Sequence, residues 1–348
     1  MDEILKKLLD AINDAYDKTE GYIVYDLLKA CALVMADYDI KLEKIQRLFD
    51  VDNMTGSTLE TYVYQRKGIE RNEATYAVGT LTVTGSGTVN EGDLFETASG
   101  VQFKAIETKT IDGTGSISIQ AVVAGSIGNV PANHITQIPV TLSGITSVAN
   151  PQPTYDGFEA ESDDSLRDRY YIAVRTPATS ANVYHYLQWT KETAGVGDAK
   201  IFSLEQGDNT VEIVIINADK QPASQTLVDT VQEYIDPNSE GLGNGQAAIG
   251  AFCYVLAATG VPINVSVNIV KDSNYTDEQV QTNIEYNIIE YLKNIAFKQS
   301  YVSYAAISNA IFDAEGVQDF STLSVNGGTS NILIGDKEVA TLGDVVIA

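Results

Sequence analysis

The stretch that decides the fold is GTGSISIQAVVAGSIGNVPANHITQIPVTLSGITSVANPQPTY, residues 113–155, which contains no Asp, Glu, Lys or Arg. These 43 residues belong to a chain of 348 residues whose formal net charge is −25. The next fourteen residues, DGFEAESDDSLRDR at 156–169, carry eight charges. The switch separates a Gly-, Thr- and Ser-rich segment that favours sheet from a carboxylate-rich segment that is typical of a helix start.

Glycines, prolines and amides interrupt the uncharged stretch every few residues, so no run approaches the roughly 20 apolar residues of a membrane helix. Asp and Glu number 47 against 22 Lys and Arg, which argues against nucleic-acid and anionic-membrane partners. Two distant cysteines predict neither a disulfide framework nor a thiolate metal site. The charged N-terminus does not resemble a secretory signal, so we expect folding in the cytoplasm and release by lysis or within a larger particle.

The N-terminal region is predicted to be helical. Residues 2–17 show an amphipathic pattern, and a longer helix from Tyr22 to Phe49 has apolar residues at alternating steps of three and four. We call these residues the heptad seam: Leu28, Cys31, Met35, Tyr38, Leu42, Ile45 and Phe49. Two interpretations stay open at this point, namely packing onto the first helix of the same chain and packing onto a partner subunit.

The pattern changes after a third helix, which we predict from Ser57 or Thr58 to Lys67. The segments LTVTG, VQFKA, KTIDG and SISIQAVVAG alternate apolar and polar residues between Gly-containing turns, as half-buried antiparallel strands do. Residues 77–155 therefore predict a small antiparallel β domain.

The C-terminal half looks duplicated. In ESDDSLRDRY, Ser162 or Asp163 can cap a helix. Further on, ETAGVGDAKIFSL at 192–204 is matched by FDAEGVQDFSTLSV at 312–325, each a helix end that passes through Gly-Val-x-Asp into a strand. We expect both glycines to end their helices in the left-handed conformation.

The predicted fold class is α+β multidomain, with an N-terminal helical region carrying the heptad seam, a small antiparallel β domain and two α/β sandwich-like C-terminal units. The expected domains are 1–76 (helical, partner-binding), 77–155 (β), 156–260 (first α/β) and 261–348 (second α/β).

Catalytic patterns are absent from the sequence. His134 and His185 lie in no Ser/His/Asp or metal-ligand spacing, and there is no phosphate-binding loop or nucleophile elbow. The carboxylates from Glu161 to Asp168 lack the spacing of a calcium loop. Gly243, Gly245 and Ala248 match a loose dinucleotide fingerprint, but a helix precedes them and a strand follows, so we predict a flexible Gly-rich connection. We expect no catalytic residue, no metal and no cofactor.

An ordered series of motifs resembles the baseplate J family of contractile phage tails and related particles. The series is TGSTLETYVYQRKGIERNEATYAVGTLTVTG, VNEGDLFETASGVQFKAIE, AVVAGSIGNVPANHITQIPVTLSGITSVANP, ESDDSLRDRY, WTKETAGVGDAKI and AEGVQDFSTL. It extends from about Thr55 to Val346. The sequence departs from the family pattern at TYDGFEAESDD, where Asp156 and a single glycine replace a Gly-Gly-rich turn.

The resemblance implies a structural wedge protein of a phage, tailocin or other contractile injection system. Two copies would pair with a smaller wedge protein through N-terminal helices, and the wedges would form a ring around the hub that transmits the trigger for sheath contraction. Partners would then be further copies of this chain, hub proteins and sheath-proximal baseplate proteins, and the protein would be a component of the virion or tailocin. The alternative is a cell-surface or carbohydrate-binding adhesin-like β module, which the Thr/Ser/Gly-rich strands suggest.

Overall fold

A computed structural model of the protein describes residues 1–47 and 50–347. In this part of the chain there are eight α-helices and fourteen strands, so the predicted α+β class is confirmed. The chain divides into two compact units. The first comprises Met1–Glu70 and Ser162–Tyr170, and the second comprises the other described residues.

The first unit is helical. Its helices are α1 (Asp2–Asp10), α2 (Ile23–Arg47), α3 (Gly56–Lys67) and the beginning of α4 (Asp163–Arg175). The prediction that the first helix reaches residue 17 is wrong, since α1 ends at Asp10. The Asn13 side chain accepts a hydrogen bond from the Ala15 N–H (2.8 Å) and Asp17 accepts one from Thr19 (2.9 Å). These Asx turns compete with the helical backbone bonds.

A six-stranded sheet forms the first part of the second unit. Its strands are β1 (Val78–Val89), β2 (Leu94–Thr97), β3 (Gln102–Ala105), β4 (Lys109–Ala121), β5 (Ile135–Gln137) and β6 (Ile145–Ala149). The strand order is β5-β2-β3-β4-β1-β6, and the two edge strands contact each other, so the sheet curls toward a barrel. Phe95, Phe103, Ile117 and Ile119 are fully buried inside it.

KTIDG and SISIQAVVAG are not separate strands, as the sequence predicted, but the continuous strand β4. The strand passes through Gly113, whose φ is +84°, and this glycine pairs with Gly85, whose φ is +145°. A Cβ at Gly85 would overlap the carbonyl oxygen of Gly144. These glycines therefore bend a long strand pair and let β6 approach it. In the sequence, a glycine that bends a strand looks the same as a glycine at a turn where the chain reverses.

Two α/β layers complete the second unit. The first contains α5 (Val183–Glu192), β7 (Val196–Ser203), β8 (Thr210–Asn217), α6 (Gln225–Ile235) and β9 (Phe252–Ala257). The second contains β10 (Thr259–Lys271), α7 (Asp277–Ile295), β11 (Tyr301–Val302), α8 (Tyr304–Phe312), β12 (Val317–Val325), β13 (Ile332–Leu333) and β14 (Glu338–Ile347).

The two three-stranded sheets share one arrangement but not one chain order. The middle strand β8 is antiparallel to β7 and parallel to β9, and β10 is likewise antiparallel to β12 and parallel to β14. In the first layer the helix-to-edge-strand segment α5–β7 comes before the middle strand. In the second layer the corresponding segment α8–β12 comes after the middle strand and its helix α7.

The two matched glycines have φ values of +91° (Gly195) and +92° (Gly316). Their expected position at the helix end is wrong, because α5 ends at Glu192 and α8 at Phe312, three and four residues earlier. A Cβ at Gly195 would crowd Phe158 and Leu227, and one at Gly316 would crowd Tyr275 and Val280. Each glycine therefore lies against the first turn of α6 or α7, which explains why both repeats have a glycine there.

Candidate interaction surfaces

The heptad seam lies on α2, and most of it is exposed. Leu28 is half-buried, whereas Cys31, Met35, Tyr38, Leu42 and Ile45 are exposed, with Tyr38 at 60% and Leu42 at 55%. Phe49 lies outside the described residues. Helix α1 packs on α2, and Ala32 is buried. The described part of α2 also exposes Leu33 and Ile40, on the side away from Leu42.

Helix α1 leaves the seam residues from Met35 to Ile45 exposed to solvent. The exposure of the seam favours packing onto a partner subunit over packing within the chain. The interface itself stays a prediction.

Three carboxylates of the acidic segment, Glu161, Asp163 and Asp164, make local structural contacts. One oxygen of Asp163 accepts the N–H of Gly56 (3.0 Å) at the N-terminus of α3, where Thr55 supplies no side-chain cap. Asp164 pairs with Arg167 (2.6 Å), and Glu161 accepts the N–H of Asn72 (3.1 Å). Arg167 in turn donates to the carbonyl oxygens of Val51 (3.1 Å) and Met54 (2.9 Å). A capping and bracing role accounts for these contacts.

Both histidines have local partners, and one of the two cysteines is buried. The His134 ring bonds to the Ala132 carbonyl (3.0 Å), and His185 stacks on Trp189 with ring centroids 3.9 Å apart. Cys253 is buried, and burial raises the pKa of its thiol to about 11. Among residues 1–47 and 50–347 no group of three or more His, Cys, Asp and Glu side chains could hold a metal ion. The same residues include no helix long and apolar enough to cross a bilayer.

The uncharged stretch forms the end of β4, then β5, β6 and their connections. Its inward residues Ile117, Ile119, Ile135 and Val148 are part of the core of the six-stranded sheet. Its exposed residues include Val123, Ile127 and Val140. The stretch therefore supplies both core and an uncharged outer surface.

Sequence reasoning missed a buried carboxylate that pairs with a partly exposed lysine. Glu212, on β8, is only 4% exposed, and its carboxylate meets the Lys337 ammonium at 2.6 Å and the Gln206 amide at 3.2 Å. Burial raises the pKa of this carboxyl, but the hydrogen bonds from Lys337 and Gln206 outweigh it and lower the pKa overall. The available signal was the single carboxylate in the apolar run VEIVIIN, because a buried carboxylate needs a charged or hydrogen-bonding partner.

Comparison with known proteins assigns the family. The chain is 33% identical over 345 residues to the phage-like element PBSX protein XkdT of Bacillus subtilis (strain 168), covering 99% of this chain and 96% of that protein. It belongs to the Baseplate J-like family. Three family models match along it: the Baseplate J-like protein barrel domain at 80–157, the Baseplate J-like central domain at 178–257 and the Baseplate J-like protein C-terminal domain at 263–348.

Membership confirms the resemblance that the motif series indicated. Baseplate protein gp47 of Escherichia phage Mu is 31% identical over 216 residues, covering 58% of this chain and 59% of gp47. Among solved structures, the anti-feeding prophage (AFP) baseplate matches with a TM-score of 0.41 and 10% identity, covering 98% of this chain and 90% of that one. In Baseplate J-like terms, the six-stranded sheet is the barrel domain, the β7–β9 layer the central domain and the β10–β14 layer the C-terminal domain.

Proposed function

We propose that this Baseplate J-like protein is a structural component of the baseplate of a contractile tail, in a phage, a tailocin or a related injection system. The observation that carries the proposal is the full-length similarity to XkdT together with similarity to the Mu baseplate protein. The local structural roles of Glu161, Asp163 and Asp164 support a role without catalysis. The protein would assemble in the host cytoplasm and be released in the tail particle by lysis.

We further propose that it acts as a wedge protein. Copies would pair within a wedge together with a smaller wedge protein, the wedges would form a ring around the hub, and the ring would transmit the trigger for sheath contraction. In this scheme residues 1–76 bind the partner, and 77–155, 156–260 and 261–348 are the β domain and the two α/β sandwich-like units. The exposed apolar seam of α2 supports the assignment of the partner-binding role, since burial of exposed apolar surface is the main driving force of such association.

The test of the seam is Leu42→Asp, with Ile40→Asp as its matched control. Both side chains are exposed to the same degree (55% and 54%) on the same helix, but Ile40 is off the seam. We expect Leu42→Asp to block wedge assembly, because a carboxylate in an apolar helix interface is left without a partner, and to leave residues 77–348 folded. Ile40→Asp should lower the yield of assembled tails much less.

Two measurements decide the outcome: electron microscopy of particles from producing cells, and circular dichroism melting of the purified variants. Loss of folding throughout Leu42→Asp would place the seam in a monomer core. Recovery of the tagged chain without tail or sheath proteins would contradict the baseplate role itself. Direct binding of the purified chain to host envelope carbohydrate would favour the adhesin-like alternative.

A further inference from the structure

A second apolar surface lies at one end of the central domain, separate from α2. We call it the apolar tip and define it as Leu204, Leu242, Ile249 and Phe252. Leu242 is 57% exposed and Ile249 is 85% exposed. Phe252, which begins β9, bonds through its N–H to the carbonyl of Asn209 (2.9 Å), beside the β7–β8 turn that carries Leu204. All four residues therefore lie at the same end of the β7-β8-β9 sheet.

The loop that presents Leu242 and Ile249 is fixed by a buried carboxylate. Asp236, 2% exposed, accepts hydrogen bonds from the N–H groups of Gly241 (3.0 Å) and Cys253 (2.9 Å), which lie on either side of the loop. Inside the loop, the Gly250 N–H donates to the Gly241 carbonyl (2.8 Å) and the Ala247 N–H to the Ile235 carbonyl (2.9 Å). A helix precedes this Gly-rich connection and a strand follows it, as predicted, and the loop is held by hydrogen bonds at both ends.

The loop backbone packs closely at two glycines, Gly243 and Gly245. Ile249 lies so close to the backbone of Gly243 that a Cβ there would be 2.6 Å from Ile249 Cγ1. Gly245 has no room for a Cβ because the Ile235 carbonyl oxygen occupies that space. An exposed apolar pair on a loop that is already ordered loses little conformational entropy when a partner covers it. Such a surface is typical of an interface and costs free energy if it serves no contact.

Charge around the apolar tip selects the kind of partner. Asp208 and Glu240 are exposed beside it, and no Lys or Arg occurs between Gln221 and Val270. Lys337 reaches the β7–β8 turn, but it is held between Glu205 (3.2 Å) and Glu212 (2.6 Å). A second copy of this chain carries a formal net charge of −25, so its surface would repel the acidic rim in a two-fold contact and in most other contacts between copies. A partner with an apolar pocket and a basic rim meets no such repulsion.

We propose that the apolar tip is a docking surface for a different protein, one that covers Leu242 and Ile249 with an apolar pocket bordered by Lys or Arg. The contact goes beyond the baseplate role proposed above, because it uses the central domain and makes no use of the seam. It would add a second point of attachment to any assembly that α2 nucleates.

The test is photo-cross-linking in cells that produce the protein from its own gene. A cross-linking amino acid at position 249 should yield an adduct with a protein that is not this chain, and the surface of that protein around the cross-linked residue should carry a net positive charge. The matched control is position 333, since Leu333 is also an exposed aliphatic residue (80%) but lies on β13. It should not give this adduct. A cross-linker at Met35 reports on the seam independently, so that failure of the wedge proposal and failure of this one are distinguishable.

Charge reversal tests the chemistry of the partner. With the cross-linker at position 242, Glu240→Lys should lower the adduct yield by at least about tenfold, Glu240→Gln by less, and Leu333→Asp should leave it unchanged. Variants with wild-type melting temperatures exclude misfolding as the cause. An adduct between two copies of this chain, an adduct with an acidic surface, an undiminished yield with Glu240→Lys, or no adduct from position 249 would each overturn the proposal.

Discussion

Asp156 shows how a single residue replaces a glycine at the border between barrel and α/β layers. Its φ is +63°, in the left-handed region that favours glycine. Its carboxylate accepts a hydrogen bond from the Ser224 hydroxyl, and Ser224 also caps α6 by accepting the Leu227 N–H (3.1 Å). Burial raises the pKa of this carboxyl. The departure from the family pattern is thus compensated by a specific contact to the helix.

Substitutions at Asp156 should separate the cost of its left-handed backbone from the gain of its hydrogen bond with Ser224. Asp156→Ala loses the contact to Ser224 and keeps the left-handed backbone, whereas Asp156→Gly loses the contact but removes the strain. We expect the alanine variant to be less stable than the glycine variant by about 1 kcal/mol, the usual cost of that conformation for a residue with a Cβ. Urea unfolding of the three proteins checks this, and equal stability of the two variants would mean that the backbone there is not strained.

The two cysteines should differ in reactivity. Cys31 is exposed on the seam, whereas Cys253 is buried and its pKa is raised to about 11, so little thiolate is available at neutral pH. We expect one fast-reacting thiol per purified chain in a thiol-labelling assay at pH 7, and a second only on unfolding. In assembled particles Cys31 should be protected if the seam is covered. Equal labelling of Cys31 in free chain and particle would contradict the seam interface.

At the scale of secondary structure elements, side chains from distant segments complete the ends and edges of helices and strands. Helix α3 takes its N-terminal cap from Asp163 on α4. Strand β9 is an edge strand, but Gln232 of α6 accepts the Val255 N–H (2.9 Å) and donates to the Cys253 carbonyl (3.1 Å). These bonds occupy backbone groups that an added strand would need, so β9 is protected from edge-to-edge pairing.

Alanine substitutions at Asp163 and Asp164 should lower the stability of the protein by different amounts. Asp163→Ala should cost about 1 kcal/mol, as loss of a helix cap usually does. Asp164→Ala should cost about 0.5 kcal/mol or less, because its pair with Arg167 is at the surface. Asp163→Asn should retain part of the cap through its amide oxygen. Chemical denaturation of the first unit's helices, followed by circular dichroism, measures all three, and the reverse order would contradict the capping role.

At the scale of the whole molecule, the central and C-terminal domains meet in a contact with an apolar part and a charged part, which we call the joint. Val214, Ile216, Ala258, Ala296 and Val339 form a buried cluster that draws on both layers. Beside it, Lys337 binds Glu212 and Glu205, and Lys200 lies 3.5 Å from Asp336. Hydrogen bonds and charge from Glu212 raise the pKa of Lys337. We expect the two domains to unfold together.

Lys337→Met should weaken this joint, because it leaves the Glu212 carboxylate buried without its cation. Lys337 is 41% exposed, so water can partly replace it, and we expect a lower urea midpoint rather than complete loss of folding. The double variant Glu212→Gln, Lys337→Met should recover much of that loss. Urea unfolding with a probe in each domain measures both the loss and any splitting into two transitions, and an unchanged midpoint for Lys337→Met would contradict the joint.

The sign of the pH dependence follows from Glu212. Its pKa is lower in the folded protein than in the unfolded chain, so the ion pair contributes its full stability above the ordinary pKa of a Glu carboxyl, about 4.3. The contribution is lost as the pH falls below that value through the folded-state pKa. In Lys337→Met this part of the acid destabilisation should be absent or reversed.

The sequence by itself determined the family, the α+β class and the succession of helical, β and α/β regions, because these depend on periodicity and on ordered motifs that lie close together in the chain. It also located the heptad seam and the absence of charge in 113–155. Gly113 shows its limit: a glycine in an alternating pattern is read as a turn, although here it lies opposite Gly85 within one long strand.

Only the tertiary structure decided what depends on residues far apart in the chain. Asp163 caps a helix that begins 107 residues earlier, and Glu212 finds its cation at Lys337. The tertiary structure also decided the chain order of the two α/β layers. The middle strand and the helix-to-edge-strand segment can be joined in either order and still form the same sheet. Local patterns determine which element forms, whereas burial and partner choice are fixed when the elements pack.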